Sequence, residues 1–99
     1  MNAYTTQIIY RIKCSGTQTE QYEEQLRLVF GTDERHALEQ ARTIALDEES
    51  TFVDRHGRTV TWEMVAIKDL QPVDLQNGTL LMSTVKEVEP VGVHADIEA

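Results

Sequence analysis

Two stretches near the start of the chain alternate in polarity with a period of two residues, which is the pattern of a half-buried β-strand. In residues 4–14, one face carries Tyr4, Thr6, Ile8, Tyr10, Ile12 and Cys14. In residues 22–30, one face carries Tyr22, Glu24, Leu26, Leu28 and Phe30. The stretch between them is polar and contains Gly16, so we expect the two strands to form a β-hairpin.

The register of this hairpin is predicted from the requirement that both apolar sets share one face of the sheet. It places Lys13 opposite Glu23 on the other face, which is a favourable charge pair. The pairs that it predicts on the apolar face are Ile8 with Leu28, Tyr10 with Leu26, and Ile12 with Glu24.

Residues 33–49 are predicted to form one amphipathic helix. Gly31 ends the second strand, and Thr32 or Asp33 can cap the helix, whose first turn is acidic. Apolar residues recur at helical spacing: Ala37, Leu38, Ala41, Ile44 and Ala45. Because the alanines are small, we expect the helix to pack closely against a sheet.

Two further strands are predicted after the helix. Residues 59–68 carry apolar side chains on both faces, as a central strand does, and residues 79–88 follow an Asn-Gly turn signal. Phe52 is expected to fold back into the core. The prediction is therefore an α+β fold of order β-β-α-β-β, with a four-stranded antiparallel sheet in the order 2-1-3-4 and one helix on one face. We expect one domain over residues 1–88 and an acidic flexible tail over residues 89–99.

One helix covers only one face of a four-stranded sheet. The residues predicted to be buried together under it are Tyr10, Leu26, Leu28, Leu38, Ala41, Ile44 and Trp62. The opposite face mixes aliphatic and charged side chains, and it is the candidate interface or ligand face. Its predicted residues are Ile9, Arg11, Gln25, Arg27, Val29, Glu63, Val65 and Ile67.

Charge and cysteine content narrow the classes of partner. The chain has 17 acidic and nine basic residues among 99 and a net charge of -8, which disfavours nucleic acid and anionic membranes. Cys14 is the single cysteine, so no disulfide forms within the chain and a reducing compartment is expected. The first residues lack a basic segment followed by an apolar run, so we expect no signal peptide and a cytoplasmic protein.

No catalytic, metal-binding or cofactor-binding residue is predicted. His36, His56 and His94 have no neighbours at metal-ligand spacing, and Cys14 has no base in a local motif. No glycine-rich phosphate loop or hydrolase motif is present in the sequence. Glu24 falls on an apolar face, where it is either a buried acid/base group or, as we favour, a solvated residue near the hairpin end.

Several of these segments resemble a small uncharacterised bacterial family, the domain of unknown function 4288. The resemblance covers about residues 4 to 85. It implies the fold but no activity, because its motifs are strand and helix patterns. The segments that carry it are Ile8 to Ile12, Glu24 to Val29, Ala37 to Ala41, Phe52, and Val60 to Val65 around Trp62.

Two functional hypotheses follow. The favoured one is a non-catalytic cytoplasmic interaction module, a homodimer through the uncovered sheet face that can also act on another protein. The alternative is a small-molecule binding protein or enzyme with a site between subunits. In that case Arg11, Arg27 and Glu63 would hold a polar, anionic ligand.

Overall fold

The computed structural model describes residues 1–88. Its elements are β1 (Asn2–Cys14), β2 (Glu20–Gly31), α1 (Glu34–Asp47), β3 (Ser50–Val53) and β4 (Thr59–Val73). The four strands form one antiparallel sheet, so the α+β class and the β-β-α-β-β order are confirmed. The expected acidic tail, residues 89–99, lies outside the described residues.

The strands lie in the order β2-β1-β4-β3, and the predicted order 2-1-3-4 is wrong. The long strand after the helix does lie beside β1, as expected. However, the fourth strand is the short segment Ser50–Val53, whereas residues 79–88 form no strand. Phe52 therefore lies in an edge strand and is 48% exposed, instead of entering the core.

A tight turn after β3 explains this edge. The Asp54 carboxylate accepts the backbone N–H groups of His56 at 2.8 Å and Arg58 at 3.0 Å. Gly57 adopts φ +79, which suits a residue without a side chain. The chain therefore folds straight back, and Val53 pairs with Thr59.

β1 and β2 pair three residues away from the predicted register. Tyr4 lies opposite Val29, Tyr10 opposite Glu23, and Lys13 opposite Glu20. Because the shift is an odd number of residues, it turns every β2 side chain to the other face of the sheet.

The hairpin loop fixes this register. It contains five residues, 15–19, between the ends of β1 and β2. Thr17 donates both its backbone N–H and its hydroxyl to the Cys14 carbonyl, at 3.3 and 2.8 Å. Gly16 takes φ +81 in the turn. The compact loop therefore begins β2 earlier than the polar stretch predicts.

α1 packs on the sheet through its alanine row, as predicted. Ala37, Ala41 and Ala45 are fully buried. The first two pack with Tyr4 and Val29, and Ala45 packs with Ile8 and Tyr10. The Tyr10 hydroxyl donates to the Ala45 carbonyl at 2.7 Å, and burial raises the Tyr10 pKa. Asp33 caps the helix, since its side chain accepts the His36 N–H at 2.8 Å.

The predicted core is correct in part. Tyr10 and Ala41 are fully buried, and Ile44 and Trp62 pack half-buried against the core. Three leucines are exposed instead: Leu26 by 41%, Leu28 by 47% and Leu38 by 38%. The first two are outside the core because β2 turns its other face to the helix.

Two irregularities in the pairing of β1 with β4 bend the sheet into a curled half-barrel. At the first irregularity, between Ile9 and Tyr10 of β1, Val65 of β4 has no partner. At the second, Asp69 adopts the left-handed backbone conformation with φ 58. The buried Thr6 hydroxyl donates to the Lys68 carbonyl there at 2.8 Å, so the distorted backbone has a specific hydrogen-bond partner.

Candidate interaction surface

Three of the eight predicted face residues, Ile9, Arg11 and Glu63, lie on the side of the sheet away from α1. Arg11 lies opposite Glu63 and donates two hydrogen bonds to its Oε1 atom, the one from Nε at 3.2 Å. Glu20 Oε2 is 3.7 Å from the same Nε. The hydrogen bond to Arg11 lowers the pKa of Glu63, and the same bond raises the pKa of Arg11.

Four other residues face the helix side, so their predicted placement on the uncovered face is wrong. They are Gln25, Arg27, Val29 and Ile67. Val29 is 1% exposed in the core, and Ile67 packs beside it. The reversed β2 register accounts for the first three. Val65, the eighth residue, stands at the irregularity in β4 and is 40% exposed.

Three polar side chains follow one another along the helix side of β2, and we call them the polar ladder: Glu23, Gln25 and Arg27. The Gln25 amide donates to the Glu23 carboxylate, and Arg27 Nε donates to Gln25 Oε1 at 2.8 Å. Arg27 Nη2 also lies 3.7 Å from Glu48 Oε1 at the end of α1. All three ladder residues are half-buried.

The opposite side of β2 carries large apolar side chains, and we call Tyr22, Leu26, Leu28 and Phe30 the apolar row. Their exposed fractions are 59%, 41%, 47% and 45%. Glu24 lies between Tyr22 and Leu26 on the same side of the strand, and it is exposed, as the solvated alternative expected. Four large apolar residues left in water on one side of a strand are typical of a contact surface.

One signal in the sequence could have identified this face. Gly31 lies on the same side of β2 as Val29 and is buried against Ala37. A Cβ at Gly31 would lie 2.5 Å from the Ala37 backbone nitrogen, so only glycine fits there. Gly31 therefore marks its own side of β2, which it shares with Val29, as the side under the helix.

β2 is also an outer strand. Among residues 1–88 it pairs only with β1, and that pairing runs without irregularity from Glu20 to Gly31. No proline interrupts the strand. Long, regular edge strands expose unpaired backbone groups, which natural proteins usually block unless the edge is used.

The remaining candidate side chains have structural surroundings. His36 Nδ1 accepts the Thr32 N–H at 2.9 Å and so strengthens the start of α1. His56 lies in the turn after β3, and Cys14 is half-buried at the end of β1. His94 lies outside the described residues. In the part of the chain that the structure describes, no three His, Cys, Asp or Glu side chains form a metal-binding group.

Within residues 1–88, no helix has the length and apolar character needed to cross a membrane.

Comparison with known proteins gives one finding, a match of residues 3–83 to the family model described as Domain of unknown function (DUF4288). No curated protein and no solved structure matches the chain.

Proposed function

The chain belongs to the family described as Domain of unknown function (DUF4288), and we propose from its geometry that it is a non-catalytic interaction module that self-associates as a homodimer. The proposed contact surface lies along β2, where the apolar row is exposed. The predicted interface residues on the helix side, Gln25 and Arg27, are included because they lie on the same outer strand.

The apolar row is the observation that supports this proposal. Each of its side chains is between 41% and 59% exposed. Removing apolar surface from water contributes about 25 cal/mol per Å². A domain of this size buries a smaller share of its surface on folding than a large one does. Contact between the apolar rows of two copies would remove part of this surface from water and so stabilise both chains.

The arrangement of the arginines argues against the ligand-binding alternative. Arg11 and Arg27 lie on opposite sides of the sheet, so a site between subunits would have to take Arg11 from one copy and Arg27 from the other. Each also has an acidic neighbour, Glu63 for Arg11 and Glu48 for Arg27.

We place the protein in the cytoplasm as part of the same proposal. Its support is the single cysteine, Cys14, which has no partner for a disulfide in the chain and is stable as a thiol in a reducing compartment.

Light scattering on matched charge substitutions tests the proposal. Leu28 in the apolar row and Leu46 on α1 are almost equally exposed, at 47% and 48%. Leu28→Glu should convert a micromolar solution of dimers into monomers, because it replaces an apolar side chain of the contact surface with a charged one. Leu46→Glu should leave the dimer intact.

Urea unfolding of both variants at a concentration where each is monomeric serves as the control for folding. Similar midpoints would show that the loss of dimer is a surface effect. A wild-type protein of single-chain mass at micromolar concentration would contradict the proposal. So would a Leu28→Glu variant that remains fully dimeric.

A further inference from the structure

We infer that the second copy docks edge to edge on β2, as an antiparallel strand related by a two-fold axis through Gln25. This inference rests on the self-association proposed above and specifies its geometry. Two four-stranded sheets would then join into one sheet of eight strands, with β2 and its copy at the centre.

The edge of β2 is suited to this contact. The strand has 12 residues, contains no proline and pairs with β1 without a bulge. Its outer backbone groups have no strand partner among residues 1–88. Antiparallel pairing would satisfy these groups with main-chain hydrogen bonds, as in other cases where a strand is added to a sheet edge.

The charges of the polar ladder specify the register. The ladder runs from an acid at Glu23 through a neutral amide at Gln25 to a base at Arg27. When a second copy runs antiparallel beside the first, with the two Gln25 residues opposite each other, Glu23 lies opposite Arg27 of the second copy. By symmetry, Arg27 lies opposite Glu23 of the second copy. The ladder is therefore self-complementary, with two opposite-charge pairs across the contact.

Neighbouring registers lack this match. With the axis through Arg27, the two Arg27 guanidinium groups lie opposite each other and repel. With the axis through Glu24, the two Glu24 carboxylates lie opposite each other and repel. An axis through Leu26 places Glu23 opposite the buried Val29 and leaves both ladder charges without an opposite charge. Only the axis through Gln25 pairs the charges at both ends of the ladder.

The same register extends the apolar row. Opposite residues in an antiparallel pair point to the same side of the sheet, so both helices lie on one side and both apolar rows on the other. Tyr22 then lies opposite Leu28 of the second copy, an aromatic–aliphatic pair. Leu26 lies beside Glu24 of the second copy, with the two Tyr22–Leu28 pairs flanking the centre. The result is one apolar band across the dimer.

Charge reversal with mixing tests this register. Glu23→Arg alone and Arg27→Glu alone each place like charges opposite one another in a homodimer. We expect the dissociation constant of each variant to rise about tenfold or more, because two attractive pairs become repulsive. An equimolar mixture should restore dimers near the wild-type affinity, since each Glu–Arg pair is re-formed between unlike chains.

Sedimentation of the separate and mixed variants gives the affinities, and native mass spectrometry identifies the mixed dimer by its mass. Recovery in the mixture also shows that both variants are folded. If the wild type dimerises but the mixture binds no more tightly than the variants alone, the register is wrong and self-association stands. If the wild type is monomeric throughout, both proposals fail.

A cysteine placed on the axis gives an independent readout. In a Cys14→Ala background, Gln25→Cys should form a disulfide with its own copy under mild oxidation, because the Cβ atoms of directly opposite residues lie about 4.5 to 5.5 Å apart, so a small adjustment brings them within disulfide range. Leu26→Cys should react more slowly, since it lies diagonal to its own copy. Faster cross-linking through Leu26→Cys would overturn the register.

Discussion

Gly31 lies at the point where β2 passes into the helix, and its missing side chain lets the two elements come into backbone contact. The Cβ that any other residue would carry lies 2.5 Å from the Ala37 nitrogen and 2.7 Å from its Cα. These are backbone atoms of a buried helical turn, which cannot move aside as a flexible side chain can. The position therefore determines how closely α1 approaches the sheet.

Gly31→Ala should destabilise the protein by about 1 to 3 kcal/mol through overpacking. Gly16→Ala is the comparison, because nothing lies within 4 Å of its Cβ position and only its φ of +81 is unfavourable for alanine. Urea unfolding of both variants should give the lower midpoint for Gly31→Ala. A Gly31→Ala midpoint equal to that of the wild type would mean that the helix moves away at no cost.

At the scale of elements, the sequence predicts the helix and the strands whose hydrophobic pattern follows their burial along the whole length. α1 is capped by Asp33 and packs through its alanines as expected. β1 and the first part of β4 are found where they were predicted, although β4 continues beyond residue 68 to Val73. β3 is only four residues long and exposed throughout, so periodicity could not reveal it.

The face of β2 could not be predicted from its alternation for a different physical reason. Its helix side is polar at Glu23, Gln25 and Arg27, and only Val29 and Gly31 are buried. The alternation therefore predicts that the more apolar side of β2 faces the helix. In the structure, the contact of Gly31 with α1 turns that side away from the helix. Here a packing constraint at two residues outweighs the alternation of the whole strand.

The turn between β3 and β4 makes stability depend on pH. The backbone N–H of Arg58, followed by that of His56 and by the Arg58 side chain, lowers the Asp54 pKa below its ordinary value of 3.8. Since the unfolded chain takes up this proton first, the carboxylate contributes stability above pH 4 that is lost as pH falls through the lowered pKa.

Asp54→Asn should therefore lower the urea midpoint at pH 7, and the difference from the wild type should shrink as the pH falls below about 4. Urea unfolding at a series of pH values measures both effects. Glu63 also has a lowered pKa, but it is unchanged in both proteins and contributes equally. Parallel curves for the two proteins across the acid range would contradict this account of the turn.

At the scale of the whole molecule, folding and association are expected to be coupled. In the proposed dimer, the surfaces that meet belong to β2, which also supplies Val29 to the core. A ligand that binds only the folded state raises its apparent stability, and a second copy acts in the same way.

The thermal midpoint of the wild type should therefore rise with protein concentration, by about 3 to 5 °C for each tenfold increase while the chain is dimeric. Leu28→Glu should show no such dependence. Differential scanning calorimetry over a hundredfold concentration range makes the comparison. If the wild-type thermal midpoint stays constant over this range, the protein does not dimerise through this surface under these conditions.

The position of β1 also has a consequence for synthesis. Among residues 1–88, β1 precedes the other strands and lies inside the sheet, yet one of its two neighbours, β4, follows all of them, so that Ala3 pairs with Val73. The β1–β2 hairpin can close early on the ribosome, but the other side of β1 must wait until almost the whole domain has been translated. Closure of this distant pair is expected to limit the folding rate. A translational pause between β2 and β4 would leave a nascent hairpin with both edges open, and chaperones would be most needed at that stage.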